Sequence, residues 1–320
     1  MKAGDIALRP ARIEDAAFVA DLYTALFPDD PIDPVMYEHN WRSPDSNVRR
    51  ERFIGELAGA PVAFAEHRHV RWEEMPERYG NVSGDILPEH RSRERLDALV
   101  AAMEERSRGE GTRRLTAWAW KHDALRIGVL KARGFREERR ERFWELNLRA
   151  NRAKLEAMAT ASREKMREQA IRVLTIDRDV DPDKWRQLWR MSNEAEQDVP
   201  TTEPHVEFPF DDFMSWMRSP GLREDRVWIA RRDGDILGVS MLSYPPKRGV
   251  VMTDWTGVAR AGRGKGVARA LKCETVMQAI ALGVDRVRTD NDSRNTPILH
   301  INETMGYRIR AEMIQFLKDA

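Results

Sequence analysis

The chain repeats itself at one constant spacing, and this repeat limits the possible fold more than any other feature. The same spacing relates four pairs of residues: Arg91 to Arg263, Gly111 to Gly283, Asp123 to Asn295, and Gly134 to Gly306. One register without gaps from Arg91 to Gly134 and from Arg263 to Gly306 indicates that a whole domain is duplicated. A chain of 320 residues is long enough for two such domains, each with its own core.

Both halves also show the same order of predicted elements. Apolar runs around glycine turns predict β-hairpins at residues 52–67 and 227–242. A strand, a loop, a helix and a further strand follow in each half, which predicts a mixed α/β domain. Between the halves lies a charged, alanine-rich stretch typical of a helix. We therefore expect a first domain at residues 1–150, a linker helix at 151–170 and a second domain at 171–320.

Composition excludes several kinds of partner and site. The 54 basic and 53 acidic residues give a net charge of +1, so nothing points to nucleic acid or to an anionic membrane. Cys273 is the single cysteine, which excludes an internal disulfide and a zinc site built from cysteines, and we expect no metal. The sequence has neither a long apolar run nor a signal-peptide core at its N-terminus, so we expect a cytoplasmic protein without a membrane partner.

The stretch RAGRGKGVARALK, residues 260–272, has the pattern most typical of a ligand site. It follows an apolar stretch and precedes an amphipathic one, so it predicts a strand, a glycine loop and a helix. Backbone N–H groups at the start of a helix attract anions, and glycine lets a phosphate approach them closely. Arg263 and Lys265 add positive charge, which favours a diphosphate. A P-loop is excluded because no Lys-Ser or Lys-Thr ends the run, and a dinucleotide site fits poorly.

Residues 256–268, together with Asn295 and the pair Gly306-Tyr307, resemble the cofactor-binding segments of the GNAT superfamily of N-acyltransferases. The stretch Arg263 to Ala268 matches that family's Arg/Gln-x-x-Gly-x-Gly/Ala pattern at every defined position. The opening stretch LRPARIEDAAFVADL is similar to the family's first strand and helix. The resemblance implies an α/β fold of two GNAT-like domains, each a mixed, mostly antiparallel central sheet flanked by helices.

The same resemblance implies acetyl-CoA as cosubstrate. Its nucleotide and diphosphate would lie on the amides of the glycine loop, and its pantetheine would pair with the preceding strand as a further strand. Asn295 is either a further cofactor contact or a helix cap. The implied cofactor-binding residues are Thr256, Gly257, Val258, Arg263, Gly264, Lys265, Gly266, Val267, Ala268 and Asn295.

The N-terminal copy departs from this pattern at the two glycines that matter most. Ser92 stands where the second copy has Gly264, and Glu94 stands where it has Gly266. A carboxylate at that place repels a diphosphate. We therefore expect a degenerate first domain that binds no CoA.

For catalysis, the resemblance implies a carboxylate on or near the strand before the loop, and Asp254 is the candidate general base. Alternatively, Asp254 faces solvent or anchors a substrate ammonium. The family's usual acid is a tyrosine at a position where this chain has Asn302. The segment 193–213 occupies the place where the family shapes its acceptor pocket. Its acidic residues would attract a cationic amine and its aromatic residues would cover an apolar part; alternatively, it is a polar loop with core aromatics.

These observations predict an N-acetyltransferase whose second domain transfers an acetyl group from acetyl-CoA to the amine of a small molecule, by direct attack in a ternary complex. Two alternatives stay open: a CoA-binding or partner-binding protein without turnover, and a protein N-acetyltransferase. The oligomeric state stays open as well.

Overall fold

The protein, described here as a computed structural model, packs as two compact units. The structure describes residues 2–43, 46–243 and 251–320. The first unit comprises Met1–Glu141, Thr202–Val206 and Ala311–Ala320, and the second unit comprises Arg142–Thr201 and Glu207–Arg310.

From Lys2 to Asn147 the strands and helices follow in the order that the sequence predicts. The elements are β1 (Lys2–Ala3), β2 (Ile6–Pro10), α1 (Ala16–Leu26), α2 (Pro34–Arg42), β3 (Val48–Leu57), β4 (Ala60–Val70), β5 (Tyr79–Ile86), α3 (Arg93–Gly109), β6 (Arg114–Trp120), α4 (Ala124–Ala132) and β7 (Arg136–Asn147).

The remainder of the chain repeats this order after one long helix. The elements are α5 (Leu148–Glu168), β8 (Arg172–Thr175), α6 (Lys184–Glu196), α7 (Phe210–Met217), β9 (Val227–Arg232), β10 (Asp235–Ser243), β11 (Met252–Val258), α8 (Val267–Ala281), β12 (Arg286–Asp292), α9 (Thr296–Met305) and β13 (Arg308–Asp319).

Each unit is built on a mixed sheet that is mostly antiparallel, which confirms the predicted fold class. In the first unit the strand order is β1-β2-β3-β4-β5-β6-β13, and only β5 and β6 run parallel. In the second unit the order is β7-β12-β11-β10-β9-β8, where β11 and β12 run parallel and β8 to β11 are antiparallel. The two predicted hairpins form, and Gly59 and Gly234 adopt positive φ at their turns.

The last strand of the chain completes the sheet of the first unit. β13 pairs with β6 from Met313 opposite Trp120 to Asp319 opposite Arg114. Conversely, the end of β7 belongs to the second unit, where the strand lies beside β12. Each compact unit is therefore discontinuous in sequence, and the division at residues 1–150, 151–170 and 171–320 stays a prediction.

The core of the second unit lies on both faces of its sheet. On one face, α5, α8 and α9 bury residues such as Leu155, Val276 and Met305. On the other face, α6 and α7 bury Leu188 and Phe213. Burial of apolar side chains on both faces fixes the sheet between two helical layers. No helix formed by the described residues has the length and apolar character needed to cross a membrane.

Candidate active site

A cleft opens in the second unit where β11 separates from β12. β11 pairs with β10 along its whole length, from Ser243 opposite Met252 to Gly238 opposite Val258. Its described pairing with β12 is confined to Met252 opposite Arg288. Beyond that point one edge of β11 has no strand partner, and an open edge offers backbone groups to an extended ligand.

The open edge of β11 forms part of a cavity of about 570 Å³. Five segments of the second unit line it: the end of β11, the glycine loop with the start of α8, the start of α9, part of α5, and the end of α6 with the loop after it. The lining residues are Lys165, Ala195, Asp198, Val199, Trp255, Thr256, Gly257, Val258, Gly262, Arg263, Gly264, Gly266, Val267, Ala268, Arg269, Asn295, Pro297, Ile298 and Ile301.

The glycine loop presents the N-terminus of α8 to this cavity. Gly264 and Gly266 have φ of +73° and +86°, a conformation that other residues adopt only with strain. Gly266 is the N-cap of α8, and no side chain caps the helix there. The first N–H groups of α8 are therefore not satisfied by a cap, and they can donate to an anion.

Nine of the ten predicted cofactor-binding residues line the cavity, and Lys265 does not. The ammonium of Lys265 donates to the carbonyl oxygen of Ala261 at 2.5 Å, and its own carbonyl accepts from Gln169 at 3.0 Å. Asn295 is the N-cap of α9 but makes no capping hydrogen bond with its side chain. The structure thus brings these residues together, and their role as cofactor ligands stays a prediction.

A carboxylate occupies the mouth of the glycine loop. Asp198, in the loop after α6, accepts two hydrogen bonds from Arg260 at 3.0 Å and lies 2.7 Å from Arg263. The Arg260 guanidinium first, and that of Arg263 second, lower the pKa of Asp198 to about 2. The sequence interpretation placed Asp198 among acidic residues that attract an amine. That role stays a prediction, and the fold adds that the charge of Asp198 is shared by two arginines of the loop.

Lys165 is a residue that sequence reasoning missed. It lies on α5, predicted to be only a linker, yet it lines the cavity. α5 packs on α8, where Arg163 forms a bidentate ion pair with Glu274 at 2.7 and 2.8 Å, and Met166 is buried against Val267. A charged helix gives no signal of the face that it turns to a site, so the sequence alone could not have found Lys165.

Asp254 is the extra residue of a β-bulge in β11. Met241 lies opposite Trp255 and Leu242 opposite Thr253, so Asp254 has no opposite residue. Bulges reorient a side chain, and here the carboxylate accepts a hydrogen bond from the indole of Trp216. Asp254 does not line the cavity itself, but it directly precedes Trp255, which does.

The surroundings of Asp254 make it a base of moderate strength. The pKa of Asp254 is raised to about 6. The main cause is the loss of hydration among crowded protein atoms, and the second cause is the negative charge of Asp290. The side chain nevertheless keeps access to solvent. Crowding together with access is typical of a group on the wall of a cleft, where a substrate can reach it.

Asn302, at the position of the family's usual acid, is fully buried. Its side-chain amide donates to Asn291 at 2.7 Å, and its own oxygen lies buried without a hydrogen-bond partner. An amide has no proton to give at neutral pH. His300, two residues earlier, is exposed on α9.

The predicted acceptor segment 193–213 divides between the two units. Its residues Thr202–Val206 belong to the first unit, where Glu203 accepts from Thr116 at 3.0 Å. In the second unit, Phe208, Phe213 and Trp216 form an aromatic cluster, and Trp216 is the residue that donates to Asp254. Within the part of the chain that the structure describes, no group of three or more His, Cys, Asp or Glu side chains could hold a metal ion.

Residues 185–307 match the model of the family described as Acetyltransferase (GNAT) family. This range contains β11, the glycine loop and the starts of α8 and α9. The segment that builds most of the cavity wall therefore lies within the match to the GNAT family model. No curated protein matches the sequence.

Solved structures with the same fold include a tandem GNAT protein. A tandem GNAT protein from the clavulanic acid biosynthesis pathway has a TM-score of 0.73 at 16% identity, over 98% of this chain and 98% of that chain. A GCN5-related N-acetyltransferase from Sphaerobacter thermophilus has a TM-score of 0.66 at 17% identity, over 98% and 96%. These identities are low, so the likeness shows the fold alone, that of a tandem GNAT protein.

Proposed function

We propose that the protein is an N-acetyltransferase that moves an acetyl group from acetyl-CoA to the amine of a small molecule, in a ternary complex formed by the second unit. One observation carries the proposal: a cavity within a GNAT segment joins the open edge of β11 to the uncapped, glycine-lined start of α8.

Acetyl-CoA fits the chemistry of this cavity. Its diphosphate is placed on the N–H groups of Gly264 to Ala268, where the helix dipole favours an anion. Its pantetheine carries two amides and is placed along Thr256 to Val258, where it pairs with the open strand edge. Asn295 also lines the cavity, where it offers a further polar contact.

Asp254 is placed as the general base. Attack requires a neutral amine, so the ammonium must first lose a proton, which the Asp254 carboxylate accepts directly or through one water. The amine nitrogen then forms a bond to the thioester carbon and gives up its second proton to water, the carbon–sulfur bond breaks, and CoA leaves as the thiolate. With Asn302 in the usual acid position, the thiolate takes its proton from water.

Thiol release with a panel of small amines tests this function. With acetyl-CoA present, at least one amine is expected to release CoA at a rate that the Asp254→Asn variant loses. Calorimetric titration with acetyl-CoA is expected to show one site per chain.

A paired set of variants locates that site. Gly266→Glu is expected to abolish binding, because it places a carboxylate where the diphosphate is to lie. Gly234→Glu is the matched control, since Gly234 has a similar positive φ in a hairpin turn with open space around it. Two sites per chain, or binding that survives Gly266→Glu, would contradict the proposal.

The buried Asn302 favours a second candidate, a CoA-binding protein without turnover, since no protein acid serves the leaving group there. One-to-one binding of acetyl-CoA, with no thiol release for any amine between pH 6 and 9, would support this candidate.

A further inference from the structure

Two basic side chains line the helix end of the cavity without belonging to the glycine motif. Lys165 comes from α5 and Arg269 from the first turn of α8. The end of the Lys165 side chain lies over Gly266: a Cβ at Gly266 would stand 3.4 Å from the Lys165 Nζ and 3.5 Å from its Cδ and Cε. Glycine at this position therefore leaves room both for an anion and for the lysine beside it.

The other cations of the loop are already engaged. Arg260 and Arg263 share Asp198, and Lys265 donates to a backbone carbonyl. By contrast, among the described residues the charged groups of Lys165 and Arg269 have no ion pair and no hydrogen bond, and Arg269 has a buried Nε without a partner. The positive charge that is left uncompensated at this cavity thus comes from these two residues.

The position of Lys165 is fixed by the packing of α5. The ion pair of Arg163 with Glu274 and the hydrogen bond of Gln169 to the Lys265 carbonyl hold α5 on α8, on either side of Lys165. Met166 is buried between them. Because the helix is held at three points, Lys165 stays beside the glycine loop although its own side chain is exposed.

We propose that Lys165 and Arg269 bind the phosphomonoester on the ribose of CoA and make the site select the 3′-phosphorylated nucleotide. This inference rests on the proposed function. With pantetheine on β11 and the diphosphate on the loop, the ribose lies beyond the loop, at the end where Lys165 and Arg269 stand. A phosphomonoester carries a charge of about −1.5 to −2 at pH 7, and two cations from two helices match it.

Titration of the full chain with CoA and with 3′-dephospho-CoA tests the selection. The wild-type protein is expected to bind CoA about tenfold more tightly than dephospho-CoA, which corresponds to about 1.4 kcal/mol. Lys165→Ala and Arg269→Ala should each weaken CoA binding and leave dephospho-CoA binding nearly unchanged. Arg269→Lys, which keeps the charge, should restore part of the selection.

Lys154→Ala is the matched control for Lys165. It removes the same charge from an exposed position on the same helix, three turns before Lys165. The control should bind both ligands as the wild type does, even at low salt.

Equal affinity of the wild type for CoA and dephospho-CoA would overturn the inference and leave the proposed function standing. Equal weakening of both ligands by Lys165→Ala would also overturn it, because the lysine would then act on the diphosphate. No binding of either ligand to the wild type would overturn the inference and the proposed function together.

Discussion

The two copies of the domain differ at the same place in the sheet: the second has an open cavity there, and in the first an arginine fills the gap. In the second unit, β11 separates from β12 and a cavity lies in the gap. In the first unit, β5 pairs with β6 only from Tyr79 to Asn81, so the same gap begins. There Arg126 of α4 crosses it, and its guanidinium donates to the carbonyl of Gly84 and to the carboxylate of Asp85.

The repeat shows why the second unit has no such closure. At the spacing that relates Arg91 to Arg263, Arg126 corresponds to Ile298, and Gly84 and Asp85 correspond to Thr256 and Gly257. Ile298, Thr256 and Gly257 all line the cavity. A buried ion pair in one copy thus stands where the other copy has a ligand-sized space.

The loop after β5 and the loop after β11 also differ in whether their polar groups are paired. In the first unit the helix after β5 starts earlier relative to the repeat, and Ser92 caps it by accepting from the N–H of Arg95 at 3.3 Å. Arg91 pairs with Asp123 at 2.5 Å, while their counterparts Arg263 and Asn295 line the cavity of the second unit. The first copy therefore satisfies its helix start and its cation with its own side chains. The two copies share the fold, and they differ in whether the polar groups of this loop are paired within the copy or line a cavity.

The largest expected effect concerns the ion pair that closes the first unit. The side chains of Arg126 and Asp85 are only 7% and 9% exposed. Arg126→Met leaves Asp85 buried without its partner, so the free energy of unfolding should fall by about 3–5 kcal/mol. Urea denaturation measures this change.

The double variant Arg126→Met with Asp85→Ala is the control for this prediction. Removing both charges should restore most of the lost stability, since a buried pair adds little beyond an apolar replacement. If the single variant unfolds at the same urea concentration as the wild type, the pair does not hold the first unit together.

Asp254 provides the second test, because the first copy has no bulge at this place: Val82 and Ser83 lie opposite His67 and Glu66 with no extra residue between them. Asp254→Asn should lower the rate of acetyl transfer by about 100- to 1,000-fold, the usual contribution of a general base. Acetyl-CoA affinity should stay within a factor of about two, because the carboxylate is not part of the cofactor cavity. Steady-state kinetics and calorimetry separate the two effects.

The pH profile sharpens the role of Asp254. Since its pKa is raised to about 6, kcat/KM should fall as the pH drops through 6, where the carboxylate becomes protonated. A raised pKa in the folded state also means that ionisation costs stability as the pH rises from the unfolded value of about 4 through 6. Asp254→Asn removes that cost, so above pH 6 the variant should melt no lower than the wild type. An inactive variant with a lower melting temperature would instead indicate damage to the fold.

Restoring the glycines of the first copy is expected to have a smaller effect. Ser92→Gly with Glu94→Gly should leave the stoichiometry of acetyl-CoA at one per chain, because Arg126 still occupies the gap. The variant should lose about 1 kcal/mol of stability through the weakened cap and a glycine inside α3. A second binding event in calorimetry would show that the loop alone decides between the two copies.

The sequence predicted the elements and the loop well, because both depend on local pattern. Gly264 and Gly266 have the positive φ that the glycine run indicates, and the two hairpins turn at Gly59 and Gly234. The pairing of β13 with β6 of the first unit was not predictable. The pattern of a strand shows which of its faces is buried, but it does not show which strand is its neighbour.

The site was predictable only where a motif defines it. The run from Arg263 to Ala268 was found from its spacing, but Lys165 and Arg269 lie outside it and depend on how α5 packs on α8. The two arginine partners of Asp198 were missed for a related reason. Composition places a carboxylate in the acceptor segment, whereas only the fold shows that Arg260 and Arg263 reach it.

Asp198 also gives the smallest and most specific test of the comparison. In the first copy Arg91 is held by Asp123, and in the second copy Arg263 is held by Asp198, where both members of the pair line the cavity. A diphosphate must compete with Asp198 for Arg263. Asp198→Asn removes the competing charge, so acetyl-CoA should bind about three- to fivefold more tightly, an effect of the size of an exposed ion pair.

Salt dependence distinguishes this competition from a general change of charge. Because the freed arginine is exposed, the gain from Asp198→Asn should shrink as ionic strength rises from about 50 to 500 mM. Asp183→Asn is the control. Asp183 lies 3.5 Å from Arg190, and neither residue lines the cavity. Weaker binding in the Asp198 variant would mean that the carboxylate holds Arg260 and Arg263 in the geometry that the diphosphate needs. The pair of Arg263 with Asp198 would then shape the loop, as the pair of Arg91 with Asp123 does in the first copy, and would not compete with the ligand.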